Sequence, residues 1–451
     1  MSDTMQNLNR TLKRMDLLSI AVGQIIGSGV MVMSIAALGM TGRSVNIAFV
    51  IAAIFTCFGA LPTIFMGSTI RALGGFYTQA AIFVGDKFAG FYAFTYIFNR
   101  MSMAMFGTGL ASYTIQLIPG LKPYATPMAL AYLAIFFILN YFGTEWMAKV
   151  QTIMFYLLII ALIIFTVFGL PKVHWAGYFG NELFDAPLMT DGISGLLEAA
   201  TYLTFATGGA TVVVNFSAEA VDPVHDIPVV VIFSTVAVAV LYAFMACVIG
   251  GVLPAPEVIE AGNLGVIAYQ IMPLPVYYFF MVCGAMFAIG TTLNSSIANS
   301  IRPLMMATQD GWFPAFMNKL NKHKAAPAWL LLFFIVNAAA ILLGMNTAMI
   351  GKLVLLLGNV NNLILAAGIL RLPKLFPEAW AKSPFHVSDG MLKLLIGASE
   401  LILLLQAYMN CKGQATWVLV ANAVMFVAGI VYVMMMSKSG KVHVSKSYEL
   451  M

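Results

Sequence analysis

The first long apolar segment of the chain contains Gln24-Ile25-Ile26-Gly27-Ser28-Gly29-Val30, in which two glycines flank one serine. A glycine weakens a helix by about 1 kcal/mol relative to alanine. At membrane depth, irregular backbone is tolerated only where it is buried in protein or lines a cavity. The triplet Gly27-Ser28-Gly29 therefore predicts a break in a membrane helix, where freed backbone N–H groups can bind a ligand.

The whole chain is apolar: 61% of its 451 residues are hydrophobic, 9% are charged, and the mean hydropathy is +0.92. A soluble domain carries about 25% charged residues. A membrane helix needs about 20 apolar residues. The sequence has twelve such stretches, at residues 15–39, 44–70, 88–117, 124–143, 149–170, 192–218, 228–253, 274–307, 327–345, 349–370, 390–409 and 414–436. We therefore expect an all-α integral membrane protein with twelve transmembrane helices.

The basic residues predict the orientation of these spans. Of the 23 Lys and Arg residues, 17 fall in segments on one side of the predicted membrane. Because Lys and Arg are enriched in cytoplasmic loops, both termini are predicted to be cytoplasmic. The protein is then a multi-pass protein of the cytoplasmic membrane, and the net charge of +5 reflects this topology rather than a nucleic-acid partner.

A second break is predicted in the sixth span, where Thr207-Gly208-Gly209 begins 180 residues after Gly27. A single glycine-rich helix is more often a site of close packing. Interruptions at matching positions of two halves are instead typical of inverted-repeat transporters. The predicted segments are a cytoplasmic N-terminal segment 1–14, a first five-helix repeat 15–170, a second inverted five-helix repeat 191–370, peripheral helices 390–436 and a cytoplasmic tail 437–451.

Several motifs together carry a family resemblance. They are Leu12 to Met33 with its Gly-Ser-Gly break, Val150-Gln151, Phe205 to Gly209 followed by Glu219 and Asp222-Pro223, Leu293 to Ile297, and Asp310 to Pro314. In this combination the chain resembles the amino acid–polyamine–organocation superfamily, and within it the bacterial L-amino-acid transporter branch. The resemblance implies a five-plus-five inverted repeat (LeuT-type) with discontinuous helices one and six, two peripheral helices, and transport of amino acids.

The resemblance also implies where an amino acid would bind. The substrate-binding residues expected from it are Ile26, Gly27, Ser28, Gly29, Phe205, Ala206, Thr207, Gly208 and Ala210. Freed N–H groups around Ser28 and Gly29, at a helix N-terminus, suit the substrate carboxylate. Carbonyl oxygens near Phe205 and Thr207 suit its ammonium, and the Phe205 ring is the expected gate over the substrate.

Two positions depart from the pattern of the branch. Ala210 stands where the branch has an aromatic residue, so the pocket is either enlarged or filled from another helix. Leu158 stands where many relatives have a lysine, which occupies the region of the ion in sodium-coupled relatives. Ser295 and Ser296 of the eighth span either make interhelical hydrogen bonds or help to form a cation site facing the fifth helix. Leu158, Ser295 and Ser296 therefore form the expected coupling region.

The charged residues inside spans predict the class of substrate. Arg100 lies in the third span, where a structural ion pair is favoured over a contact with substrate. Glu219, near the cytoplasmic end of the sixth span, is interpreted as a gate or as a partner of a helix terminus. With Arg100 paired, the side-chain pocket has no charge of its own, which favours a neutral amino acid.

The predicted function is therefore secondary transport of small neutral L-amino acids by alternating access, as an exchanger or facilitator. A proton- or sodium-coupled symporter and an amine or polyamine exchanger are the alternatives within transport. An enzyme would require His, Asp or Glu clustered at membrane depth, whereas all five histidines fall in loops or the tail. A channel would not need paired broken helices, and a receptor is least favoured. No cofactor, metal or obligatory protein partner is predicted, only the bilayer and a small-molecule substrate.

Overall fold

The computed structural model describes residues 10, 12–27, 29–180, 183–345, 347–412 and 414–450, with the side chains of 32, 144–149, 347–348 and 352 excepted. Ser28, one of the predicted binding residues, lies outside this description. The first nine α-helices are α1 Arg14–Ile25, α2 Ser34–Thr41, α3 Val45–Gly67, α4 Phe76–Gln79, α5 Asp86–Asn99, α6 Met103–Leu117, α7 Ala125–Tyr141, α8 Thr144–Gly169 and α9 Gly192–Thr207.

The second part of the chain is equally helical. Its α-helices are α10 Pro223–Gly251, α11 Ala255–Ala261, α12 Gly265–Ile271, α13 Leu274–Phe279, α14 Phe287–Gln309, α15 Pro327–Leu342, α16 Thr347–Ile369, α17 Leu372–Leu375, α18 Pro377–Lys382, α19 Asp389–Cys411 and α20 Thr416–Lys438. Two short strands, β1 Ile70–Ala72 and β2 Tyr448–Leu450, complete the described elements.

Nine helical stretches among the described residues are long and apolar enough to cross a membrane. They are Ser34–Gly67, Pro119–Tyr141, Val150–Lys172, Gly192–Phe216, Pro223–Gly251, Leu274–Gln309, Met349–Ile369, Asp389–Cys411 and Thr416–Lys438. The prediction of twelve spans differs because breaks shorten the helices: α1 has 12 residues, and a tighter turn at Arg100–Ser102 separates α5 from α6. The apolar helix α15 has 16 residues.

Helix α14 is buried along most of its length although it carries many polar side chains. It packs against α1, α6, α7 and α8, so its threonines, serines and asparagines meet protein rather than lipid. The last two helices show the opposite pattern. Helix α20 buries only Val418, Asn422, Gly429 and Val433 among its 23 residues, and many of its other apolar side chains are exposed, among them Val420, Val424, Val427 and Met435. Such a surface suits contact with lipid chains.

Both predicted helix breaks are present. Helix α1 ends at Ile25, and the amide of Ile26 still donates to the carbonyl of Val22 at 2.8 Å. The helix resumes as a π-helical turn at Gly29–Met33 that leads into α2. Helix α9 ends at Thr207, after which Gly208 is extended and Gly209 has a φ of +115°. Only glycine adopts such a φ without strain.

The C-terminal segment is part of the fold, at the end of the bundle where α1 begins. Strand β2 pairs antiparallel with β1, placing Glu449 opposite Arg71. The Glu449 carboxylate lies 2.7 Å from Arg10 and 3.4 Å from Arg71, whose side chain is almost fully buried. Nearby, Asp310 accepts hydrogen bonds from the hydroxyl of Tyr77 at 2.6 Å and the amide of Ser445 at 3.1 Å. Burial raises the pKa of the Asp310 carboxyl above its ordinary value.

We predict that Glu449→Gln lowers the thermal stability of the purified protein. The substitution removes the carboxylate that lies 3.4 Å from the buried Arg71 guanidinium, and an ion pair with a partly exposed partner contributes about 1 kcal/mol. The measurement is the melting temperature in detergent. Glu378→Gln is the matched control, because Glu378 is exposed at the surface. Equal melting temperatures for Glu449→Gln and the wild type would show that the contact between Arg71 and Glu449 does not stabilise the C-terminal strand.

Candidate functional site

The two helix breaks touch each other. A methyl group added at Gly29 would lie 2.5 Å from both Cα and Cβ of Ala206 in α9. A Cβ at Gly209 would lie 3.0 Å from Cγ and 3.1 Å from the carbonyl oxygen of Gln24 in α1. Contacts this short leave no room for a side chain. The glycines therefore allow the two interrupted helices to cross at their breaks.

Hydroxyl groups of neighbouring helices cap the open end of α1. The last carbonyl groups of a helix have no partner within it, and none can remain unsatisfied at membrane depth. Tyr242 of α10 donates to the carbonyl of Ile25 at 3.1 Å. The Thr292 hydroxyl of α14 lies 3.1 Å from the carbonyl oxygens of Gly23 and Ile26. The break is thus built from three helices.

The end of α9 is held by a different contact. The Thr207 hydroxyl, which is buried, lies 2.7 Å from the hydroxyl of Thr56 in α3. The amide of Gly208 donates to the carbonyl of Thr204 at 2.8 Å. The carbonyls of residues 205–207 follow this last intrahelical bond, so they are the acceptors that the helix end offers to a ligand.

A cavity of about 270 Å³ lies beside the breaks. Of the predicted binding residues, Phe205, Gly208 and Ala210 line it. The other described ones are buried and do not line it: Ile26, Gly27, Gly29, Ala206 and Thr207. Ala210 belongs to a 3₁₀-helical segment, Ala210–Phe216, that follows the second break. The predicted residues therefore divide into a cavity wall and the packed contact behind it.

Other helices supply cavity residues that the sequence did not identify as binding residues. They include Gln24 of α1, Tyr92 and Tyr96 of α5, Thr292 and Ser296 of α14, and Asn359 and Asn362 of α16. The run Asn359-Val360-Asn361-Asn362 inside an apolar span could have indicated the cavity residues of α16, since polar residues within membrane helices mark functional sites.

Arg100 also lines the cavity, and the predicted structural ion pair is wrong for the described residues. No described carboxylate lies within 4.0 Å of its guanidinium nitrogens. The guanidinium carbon instead lies over the ring of Tyr96, 4.4 Å from the ring centroid. The premise that the pocket carries no charge of its own therefore does not hold.

The three residues of the expected coupling region, Leu158, Ser295 and Ser296, have different surroundings. Leu158 is fully buried, and the Ser295 hydroxyl is buried without a hydrogen-bond partner. Either Ser295 or Ser296 was predicted to face the fifth helix; the Ser296 hydroxyl accepts a hydrogen bond at 2.9 Å from Gln24 of α1. In α14 it is Asn294 that reaches α8, donating to Gln151 at 3.1 Å.

Paired charges lie near the end of the bundle that holds the β1–β2 pair. Glu219 accepts hydrogen bonds from Arg302 at 3.0–3.1 Å, and the Arg302 guanidinium carbon lies 4.1 Å from the ring centroid of Phe216. The carbonyl of Glu219 accepts from the amide of Leu12, which ties the segment before α1 to the segment after α9. Glu219, interpreted from sequence as a gate or a partner of a helix terminus, therefore forms an ion pair with Arg302 of α14.

Comparisons with known proteins agree on one family. A family model described as amino acid permease matches residues 16–447. Cationic amino acid transporter 4, vacuolar, of Arabidopsis thaliana is 24% identical over 78% of this chain and 61% of its own length. Branched-chain amino acid permease BcaP of Bacillus subtilis is 23% identical over 77% and 76%, respectively. Large neutral amino acids transporter small subunit 2 of Oryctolagus cuniculus is 25% identical over 70% and 60%.

The match thus spans about three fifths of the Arabidopsis and rabbit relatives and three quarters of the Bacillus one. Their names refer to cationic, branched-chain and large neutral amino acids, respectively. The names of these three relatives therefore share amino acids as the cargo and differ in its side chain.

We predict that Gly29→Ala destabilises the protein, because its methyl group would overlap Ala206. Overpacking a close contact of this kind typically costs about 1–3 kcal/mol. The measurement is the melting temperature of the purified protein in detergent. Gly397→Ala in α19 is the matched control, since a methyl group there meets no atom within 4 Å. A Gly29→Ala protein as stable as this control would contradict the direct contact between the breaks.

Proposed function

Because the chain belongs to the amino acid permease family, we propose that it is a secondary transporter of small L-amino acids whose substrate binds in the cavity beside the two breaks. The family and the relatives are transporters, so the protein is not an enzyme. The observation that carries the proposal is the contact of Gly29 with Ala206, beside a cavity lined by Phe205, Gly208 and Ala210.

The two breaks offer complementary groups to an amino acid. Gly29 begins a helical stretch that continues to Thr41, and a helix N-terminus favours a carboxylate through its free N–H groups and its dipole. The carbonyl end of α9, at Phe205 to Thr207, has the opposite polarity and accepts hydrogen bonds from an ammonium group. We therefore assign the carboxylate to the first break, which reaches the cavity at Gln24, and the ammonium to the second, which reaches it at Phe205 and Gly208.

The rest of the proposed architecture extends the sequence prediction. We take the fold as twelve spans in a five-plus-five inverted repeat, with α19 and α20 peripheral, both termini cytoplasmic, and the cytoplasmic membrane as its location. The exposed apolar surface of α20 supports the peripheral placement. The rabbit relative is named a small subunit; for this chain we propose transport without an obligatory protein partner.

Exchange or facilitated movement of a neutral amino acid is the transport mode expected from the sequence. Sodium-coupled symport is the second candidate, and a specific contact favours it. The Thr292 hydroxyl has one proton but lies within 3.2 Å of three carbonyl oxygens, those of Gly23, Ile26 and Ala288. Clustered oxygen atoms of this kind suit a hard cation. An amine exchanger is less favoured, because no acidic residue lines the described cavity.

We predict that liposomes containing the purified protein take up at least one labelled amino acid, and that unlabelled amino acid inside accelerates the uptake. The test set is alanine, leucine, lysine and glutamate, each with sodium or choline outside. Acceleration by internal substrate supports exchange, whereas uptake that requires sodium and ignores internal substrate supports symport. Protein-free liposomes are the control. No uptake of any of the four under any gradient would refute the proposed function.

We predict that Phe205→Ala lowers the rate of uptake while leaving the amount of membrane-inserted protein unchanged. The half-buried Phe205 ring lines the cavity at the carbonyl end of α9, where the substrate ammonium is expected to bind. Loss of the ring would therefore leave the bound substrate more open to water. Phe244→Ala is the matched control, because the Phe244 ring is exposed on the surface of α10. Equal uptake by the Phe205 and Phe244 variants would remove the gate assignment.

A further inference from the structure

One positive charge faces the cavity without compensation. Arg100 follows the last residue of α5 and lines the same cavity as Phe205 and Gly208. No Asp or Glu is among the described residues that line this cavity. The Arg100 Nε atom is buried and has no hydrogen-bond acceptor. Contact with the Tyr96 ring stabilises the guanidinium in part, but the ring neutralises no charge.

The location makes this charge costly to leave unpaired. Ionisable groups in membrane helices usually pair with one another or line a path for ions or substrates. Two other described arginines follow the first pattern: Arg14 lies 2.7 Å from Asp226, and Arg302 lies 3.0 Å from Glu219. Arg100 follows the second pattern, because its surroundings in the described part of the chain are a cavity and a ring.

The wall near Arg100 offers further donors. Asn359 of α16 lines the cavity, and its Nδ2 atom is buried with no acceptor. By contrast, the side-chain amide of Asn361 is used within the protein, donating to Thr95 at 2.9 Å. A guanidinium and an amide without acceptors are the groups that bind a carboxylate through charge-assisted hydrogen bonds.

We propose that Arg100 binds a second carboxylate on the substrate, so that the preferred cargo is an acidic amino acid with a net charge of −1. This inference rests on the proposed function and specifies its substrate class. The two helix breaks compensate the α-carboxylate and α-ammonium groups, which together carry no net charge. The side-chain carboxylate then compensates Arg100. A neutral amino acid leaves Arg100 uncompensated, and a cationic one adds a like charge to the same cavity.

The test uses the purified full-length protein in liposomes, with labelled glutamate as the probe and unlabelled glutamate, leucine or lysine as competitors. We expect glutamate uptake that is inhibited by glutamate and resists leucine and lysine. Arg100→Gln should lower glutamate uptake by about 10- to 100-fold, the loss expected for a charge-assisted carboxylate contact. Arg100→Lys keeps the charge and should recover part of the uptake. Lys393→Gln removes an equal charge at an exposed position of α19 and is the matched control.

A binding measurement on the wild-type protein tests the inference even if a variant fails to fold. We expect glutamate to raise the melting temperature of the wild-type protein in detergent more than leucine does, since a ligand stabilises the state that it binds. Wild-type uptake of leucine that glutamate does not inhibit would overturn the inference and leave amino acid transport standing. Glutamate uptake unchanged in Arg100→Gln would likewise overturn it. If none of these amino acids is taken up, the proposed function itself fails, and this inference fails with it.

Discussion

A helix that stops inside a membrane leaves carbonyl groups that other parts of the protein must hydrogen-bond, and many contacts of this structure meet that requirement. Water is not available there to hydrogen-bond the freed carbonyls. Tyr242 and Thr292 cap the end of α1, which requires α10 and α14 to pass beside the first break. The close approach of Gly29 and Ala206 brings the second break to the same place. The buried polar side chains of α14 are therefore needed to satisfy the first break, and two of them, Thr292 and Ser296, also line the cavity.

Both breaks could be predicted from sequence because glycine acts locally. Gly27 and Gly29 weaken a helix wherever they occur, and Gly209 permits a φ that other residues avoid. Phe205, Gly208 and Ala210, which line the cavity along the second break, were predicted from the family resemblance rather than from this local effect. The number of continuous spans was harder to predict, since hydropathy counts apolar residues whether or not a helix runs through them without interruption.

Contacts between distant helices could not be predicted in the same way. Adjacent residues of a helix point about 100° apart, so an unknown rotation of α14 decides whether Asn294 or Ser296 faces α8. The structure gives that contact to Asn294 and turns Ser296 toward Gln24. The environment of Arg100 was uncertain for a related reason. Its pairing depends on whether any carboxylate of another helix lies nearby, which no local pattern reveals.

Strand pairing at the end of the chain has a consequence for biosynthesis. Arg10 and Glu449 lie 439 positions apart in sequence, yet their side chains meet. Arg71 shares that carboxylate and is already buried by its own strand and helices. At ribosomal speeds of about 5–20 residues per second, the partner of Arg71 is made only tens of seconds after it. A nascent chain that has not reached residue 449 therefore lacks the carboxylate beside Arg71, while the hydrogen bond from Arg71 to the carbonyl of Val221 does not depend on it.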